Sequence, residues 1–318
     1  MALNPRLRAR LERQREQERR LTIDQKDELA RLLPEGQVIN DEPMANHSVI
    51  RAGGPVEAFV VANDLDELKR VFGWAESHSA EYRFWGEGAL TLVRDRGLSG
   101  IIIKLGDEFR GLSIESTADA GTAVSAGASV KCTEFASLLR ENGLACPEGL
   151  VSAQGTLAGL LCAQTVPEGL SIGDFVEEVT ILTRDMRELT VRGSSLRFEE
   201  GRLKIPRTAA VLRILFRLEK SDGRTESTET NYEKAPHFAC AFRSTTKTGA
   251  DELIYDLGLA GVRVGGARVS TDDVCTIINE AEATAKDIAV LINLVRDRVK
   301  QDTGIPLLST IDIVGERL

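Results

Sequence analysis

The chain has 318 residues, 42% of them hydrophobic and 28% charged, which is enough for two or three domains with their own cores. Its net charge of −9 argues against a general nucleic-acid binder. No apolar run approaches the ~18–20 residues needed to cross a bilayer. Five cysteines (132, 146, 162, 240 and 275) and three histidines have no metal-ligand spacing, so reduced thiols in the cytoplasm and no metal are expected.

Residues 1–33 read as a basic helical arm. Seven arginines face three glutamates in the first twenty residues, and Thr22 and Gln25 have capping-box spacing for a second helical piece. The arm is either a solvated helix or a contact for an unknown protein partner or anionic surface. Ala58-Phe59-Val60-Val61 and Ile101-Ile102-Ile103 are apolar runs of buried strands. Between them, residues 64–78 carry Leu65, Leu68, Val71, Phe72 and Ala75 on one helical face. A second strand-rich block contains Ala123-Val124-Ser125-Ala126 and Val179-Thr180-Ile181-Leu182, with a helix at 131–142 that stops before Gly143. Residues 219–235 are polar and read as a linker. A final domain follows, with a long amphipathic helix over 284–302. The expected division is 1–33, 34–218 (parting near 105), 219–235 and 236–318.

Several stretches carry more than secondary structure. Trp85-Gly86-Glu87-Gly88-Ala89-Leu90 precedes Val93, Asp95 and a pair of spaced glycines. Gly155-Thr156-Leu157-Ala158-Gly159 is a second glycine loop. Phe198-Glu199-Glu200-Gly201-Arg202, Cys240-Ala241-Phe242-Arg243, Val264-Gly265-Gly266-Ala267-Arg268-Val269-Ser270 and Leu307-Leu308-Ser309-Thr310 follow in order.

Together these stretches resemble the UDP-N-acetylenolpyruvoylglucosamine reductase (UDP-N-acetylmuramate dehydrogenase) family over about residues 34–318. The resemblance implies an α+β fold: a two-part FAD-binding domain of the vanillyl-alcohol-oxidase/PCMH type, then a smaller α+β domain. It also implies FAD as cofactor, NADPH as hydride source and a UDP-sugar as substrate. Residues 86–90 fall on the loop that cradles the FAD diphosphate, where Gly86 and Gly88 are kept. Ala89 and Leu90 stand where the family has serine and asparagine, and Glu87 adds a carboxylate. Gly155, Thr156 and Gly159 fall on the loop beside the isoalloxazine, and Val166 replaces a glycine after it. Cys240 falls on the family's proton donor and Arg243 on a substrate-binding lysine. Thr310 stands in the place of the catalytic glutamate. The family arginine position reads Gly201, with Arg202 next to it, either as a substitute or in an exposed turn.

Two readings follow. In the first the chain is a catalytically inactive homologue with a binding, structural or regulatory role linked to peptidoglycan precursor synthesis or the cell envelope. In the second it is an active NADPH-using flavoenzyme with Cys240 as proton donor, in which Arg202 and Thr310 compensate for the losses.

Overall fold

The computed structural model of the protein describes residues 20–118, 121–147, 150–151, 153–163, 172–199, 201–221 and 238–316. Most of the basic arm and of the polar linker therefore lies outside the described residues. The arm's second piece is helix α1, Ile23–Leu32. The Thr22 hydroxyl accepts from the Gln25 backbone N–H, and the Gln25 side chain accepts from the Thr22 N–H, which completes the capping box.

The first layer is a mixed sheet of β1 (Val38–Pro43), β2 (Pro55–Ala62), β3 (Tyr82–Trp85) and β5 (Leu98–Leu105), in the order β1-β2-β5-β3. Strand β1 is antiparallel to β2, while β2 and β3 both run parallel to β5. Strands β2 and β3 run in the same direction on either side of β5, so the chain must cross over between them, and helix α2, Leu65–Ser77, makes that crossing. The Asp64 carboxylate caps the helix by accepting from the Glu67 N–H at 2.7 Å. Side-chain alternation divides the two apolar runs between two cores. Ala58, Val60, Ile101 and Ile103 join the main core with Leu68, Val71 and Phe72. Phe59 and Ile102 join a smaller cluster with Met44, Val56, Trp85 and Val93. Both faces are covered, so these strands read as continuous apolar runs.

The second layer is an antiparallel sheet of β6 (Leu112–Ala118), β7 (Gly121–Gly127), β8 (Val176–Leu182), β9 (Glu188–Arg192) and β12 (Ala210–Leu218), ordered β6-β7-β12-β8-β9. Helix α3, Cys132–Glu141, packs on it through Phe135, whose ring lies 4.6 Å from that of Phe216. Helix α4, Leu157–Cys162, is a short helix that follows the second glycine loop.

The third unit has the antiparallel order β13-β17-β16-β15: β13 (Phe238–Cys240), β15 (Arg263–Val264), β16 (Ala267–Val269) and β17 (Thr276–Asn279). Helix α5 is Ala250–Asp256, and the long helix α6 is Ala285–Thr303. A Thr284–Asp287 capping box starts α6, and Gly304 ends it at φ 76°. Ile288, Leu291, Ile292, Val295 and Val299 bury one face of α6 in a core that also takes Ile50, Ala52 and Leu92 from the first layer.

Further bonds attach this unit to the first layer. Strand β19 (Asp312–Val314) pairs in parallel with β4 (Thr91–Val93), while within the unit β18 (Leu307–Ser309) pairs with β14 (Phe242–Ser244). The Asn279 amide donates to the Ile50 carbonyl at 2.9 Å. The Asp95 carboxylate accepts from the Ala285 and Lys286 N–H groups at 2.8 and 2.9 Å, which places a negative charge on the positive end of α6. Asp95→Ala is expected to destabilise the protein by about 1–2 kcal/mol, since Asp95 is exposed and partly screened by solvent. Thermal unfolding of the variant beside the parent measures it.

Candidate functional site

Strand β3 is the outer strand of its sheet, and a cleft of about 660 Å³ runs along it and the loop that follows. That volume is within the range of small-molecule sites. The loop at residues 86–90 turns beneath a fixed aromatic support. Trp85 donates through Nε1 to the His47 carbonyl at 2.8 Å, and the His47 ring stacks on Phe59 at 3.8 Å. Gly88 has φ 65°, and a Cβ there would lie 2.7 Å from the His47 carbonyl oxygen. Only glycine makes this turn without displacing the support.

The two glycine loops pack against each other. A Cβ on Gly86 would lie 2.6 Å from the Thr156 hydroxyl, and one on Gly155 would lie 3.3 Å from the Ala89 Cβ. The Thr156 oxygen itself accepts from the Gly159 N–H at 3.2 Å, so its lone pair caps α4. Among the described residues, none of the backbone N–H groups of Gly86, Glu87, Gly88, Ala89 and Leu90 has a hydrogen-bond acceptor in the protein. A run of unpaired N–H groups along a concave wall is an anion cradle.

These residues fit a dinucleotide diphosphate through the backbone. Ala89 and Leu90 contribute no polar atom. Glu87, which the sequence places as an unmatched carboxylate in the loop, is instead paired with Lys104 at 3.2 Å, so it does not confront the diphosphate as a lone negative charge.

The remaining candidate residues divide between two places. Thr310 and Cys240 come together outside the cleft lining. The Thr310 side chain is 1% exposed, and its hydroxyl donates to the Cys240 carbonyl at 2.5 Å. Its N–H donates to the Ala241 carbonyl at 3.1 Å. Cys240 is half-buried, as is Arg243, which faces Leu308 across the β14–β18 pair. Neither Thr310, Cys240 nor Arg243 lines the cleft.

Arg202 does line it. The exposed turn between strands, expected as one reading of this stretch, is the tip of a short hairpin of β10 (Phe198–Glu199) and β11 (Arg202–Leu203), where Glu199 and Gly201 are exposed. Leu203 is 2% exposed in the main core, and Phe198 packs so closely over Gly173 that a Cβ there would lie 2.9 Å from its ring. These anchors hold Arg202 half-buried, with its Nε shielded from solvent and lacking any hydrogen-bond partner.

Two cleft residues carry chemistry that the motifs do not reveal. Asp312 lines the cleft beside the first loop, its N–H bonded to the Leu90 carbonyl at 2.9 Å. The two-residue period of β19, which puts Asp312 and Val314 on one face, is the only sequence signal for it. Tyr82 lines the cleft from β3 and donates to the Thr208 carbonyl at 2.9 Å, and its phenol is pushed above the ordinary value mainly by burial.

Burial also raises the thiols of Cys162, at the cleft, and Cys132, at the start of α3, to about 11 and about 12. The nearby Arg202 guanidinium lowers the Cys162 value, but burial outweighs it. At neutral pH both thiols are protonated, so alkylating reagents are expected to leave them unmodified in the native protein. Because their folded values exceed the ordinary 9.0, the stability they contribute is intact below pH 9 and is lost as pH rises toward about 11–12. Alkylation mapped by mass spectrometry and a melting series across that range check both expectations.

The geometry can be set beside known proteins. A family model described as an FAD binding domain matches residues 56–192, and one for the UDP-N-acetylenolpyruvoylglucosamine reductase C-terminal domain matches residues 230–314. The reductase of Geobacter metallireducens is 34% identical over 91% of this chain and 99% of its own length. The chain belongs to the UDP-N-acetylenolpyruvoylglucosamine reductase family. The reductase of Alkaliphilus oremlandii is 30% identical over 91% of this chain and 97% of its own. The crystal structure of the Thermus caldophilus reductase covers 86% of this chain and 98% of its own, with TM-score 0.70 at 22% identity. A VAO-type flavoprotein from Myceliophthora thermophila shares the fold more distantly, with TM-score 0.51 over 91% of this chain and 64% of its own. The α+β architecture expected from the resemblance, a two-part VAO-type FAD-binding domain followed by the reductase C-terminal domain, is the one observed. No helix among the described residues is long and apolar enough to cross a membrane.

Proposed function

We propose that this member of the reductase family binds a flavin dinucleotide in the β3 cleft but does not reduce the enolpyruvyl UDP-sugar. In this reading it is a binding or regulatory protein of peptidoglycan precursor synthesis, acting in the cytoplasm. The observation that carries the loss of reduction is Thr310. A buried hydroxyl committed to the Cys240 carbonyl can neither supply nor take a proton at neutral pH as a carboxyl group does.

Flavin binding is supported by the cradle of unpaired N–H groups at residues 86–90, by the cleft volume and by the Glu87–Lys104 pair. A bound FAD would supply the hydride-carrying ring. The chain's own residues would seat its diphosphate at 86–90 and exclude water with Tyr82, Leu90 and the 155–159 loop. A second reading, an active reductase with Cys240 as proton donor, draws on the half-buried position of Cys240 beside the Thr310 site.

The test is a visible absorbance spectrum of the purified protein before and after addition of excess FAD and desalting. A retained flavin band is expected. A protein that emerges colourless from both steps contradicts the binding half of the proposal.

A further inference from the structure

Arg20, the first described residue, stands at the border of the cleft and is held there by two carboxylates. Its guanidinium pairs with Glu316 at 2.5 Å and lies 3.9 Å from Glu57. The Leu21 N–H donates to Glu57 at 3.1 Å, and the Gly100 N–H donates to the same oxygen at 2.8 Å. Ser99, which lines the cleft, donates to Glu316 at 3.4 Å. Glu81 lines the cleft next to them. The Ile101 N–H donates to its carbonyl at 2.9 Å, and a Cβ on Gly100 would lie 2.4 Å from that oxygen. Asp312, on the strand that leads to Glu316, continues the border toward the first glycine loop. Carboxylates of Glu57, Glu81, Asp312 and Glu316 thus follow one border of the cleft.

The chain before Arg20 matches this border. Residues 1–19 hold six arginines against three glutamates, in a chain of net charge −9. Nineteen residues make about 28 Å of chain even at the ~1.5 Å rise of a helix. That is about twice the span of the four-residue strand β3 along which the cleft runs, roughly 13 Å. An acidic border alone would not identify its occupant. Here the last arginine of the arm is already seated on it, and the chain itself delivers the other six to the same place at high effective concentration.

We infer that residues 1–19 continue the Arg20 contact along this carboxylate border and form a strap over the cleft, so that the protein's own arm gates what enters and leaves. The contact is shared among several solvent-facing ion pairs, each weak alone, so the strap opens and closes rather than sealing the cleft. Docking of the strap does not depend on what the cleft binds, whereas the gating rests on the reading of the cleft as a dinucleotide site.

Docking is tested by limited trypsin digestion of the full chain, read by mass spectrometry. Cleavage after the arm's arginines, Arg6 to Arg19, is compared with cleavage after Arg224 in the polar linker, which corrects for protease activity and for any global loss of stability. Raising the salt from about 0.05 M to about 1 M is expected to increase the arm-to-linker ratio about tenfold. The double variant Glu81→Gln/Glu316→Gln is expected to do the same at low salt. A ratio that neither change moves overturns the inference. So does protection that disappears on about a hundredfold dilution, which assigns the border to the arm of a second copy.

Gating is read by stopped-flow flavin fluorescence, with FAD expected to enter the double variant about fivefold faster than the parent. Equal rates overturn the gate even where the arm is protected. A protein that takes up no FAD contradicts the flavin reading instead, and the strap then stands or falls on the digestion.

Discussion

Thr310→Glu yields a protein that still forms no reduced UDP-sugar and is less stable than the parent, by on the order of 3 kcal/mol. The substitution restores the carboxyl group that the family resemblance implies at this position, in a site where Thr310 is fully packed. Thr310 is 1% exposed and its hydroxyl donates to the Cys240 carbonyl at 2.5 Å. Glutamate removes that donor and brings a larger, acceptor-only group against a carbonyl oxygen. Overpacking, an unmatched buried charge and a lost hydrogen bond all act in the same direction. The resemblance puts the family's arginine at Gly201 and two of its diphosphate-binding side chains at Ala89 and Leu90, and these positions are unchanged in the variant, so no gain of turnover is expected. Chemical denaturation measures the stability change, and product analysis after incubation with FAD, NADPH and the enolpyruvyl UDP-sugar checks the absence of turnover.

The double replacement Ala89→Ser/Leu90→Asn acts in the opposite sense. Both residues lie in the loop whose five N–H groups are unpaired, directly at the cleft. A hydroxyl and an amide there would each add a hydrogen bond to a charged diphosphate, worth roughly 1.5–3 kcal/mol apiece. Loss of the Leu90 side chain, which packs on the main core, offsets about 1 kcal/mol of this. FAD is expected to bind about a hundredfold tighter or more in the double variant, with no gain in UDP-sugar reduction. Titration of FAD against both proteins, read by quenching of the flavin fluorescence, gives the ratio. An unchanged affinity would mean that the diphosphate does not sit on this loop.

Much of the scaffold is legible in the chain because it depends on local pattern. The apolar runs at 58–61 and 101–103 become β2 and β5, and their alternation between two cores explains why neither run shows a polar face. The Thr22–Gln25 spacing produces its capping box, and the long helix expected at 284–302 is α6. The glycine loops at 86–90 and 155–159 come together across about 70 residues of chain, as the family resemblance implies and as spacing alone does not show.

What remained hidden depends on contacts between distant residues. Glu87 is an isolated carboxylate in the sequence, and only the parallel pairing of β3 with β5 brings Lys104 beside it. Arg202 reads as a turn residue until Leu203 and Phe198 are seen to pin the hairpin into the wall. Asp95 caps α6 from 190 residues away, and no local pattern carries that. Asp312 reaches the cleft because β19 joins β4 beside the first glycine loop, a pairing between the far end of the chain and its first layer.

In the proposed reading the fold and its cleft persist while Thr310 has replaced the proton-transfer group of the reduction. The most direct measurement loads the protein with FAD, mixes it anaerobically with NADPH and the enolpyruvyl UDP-sugar, and follows the reduced UDP-sugar by mass spectrometry beside an active reductase. No product above the protein-free control is expected. Repeated turnover by the unmodified chain would contradict it, and would direct attention to Cys240 and Arg202 as the groups that sustain the reaction.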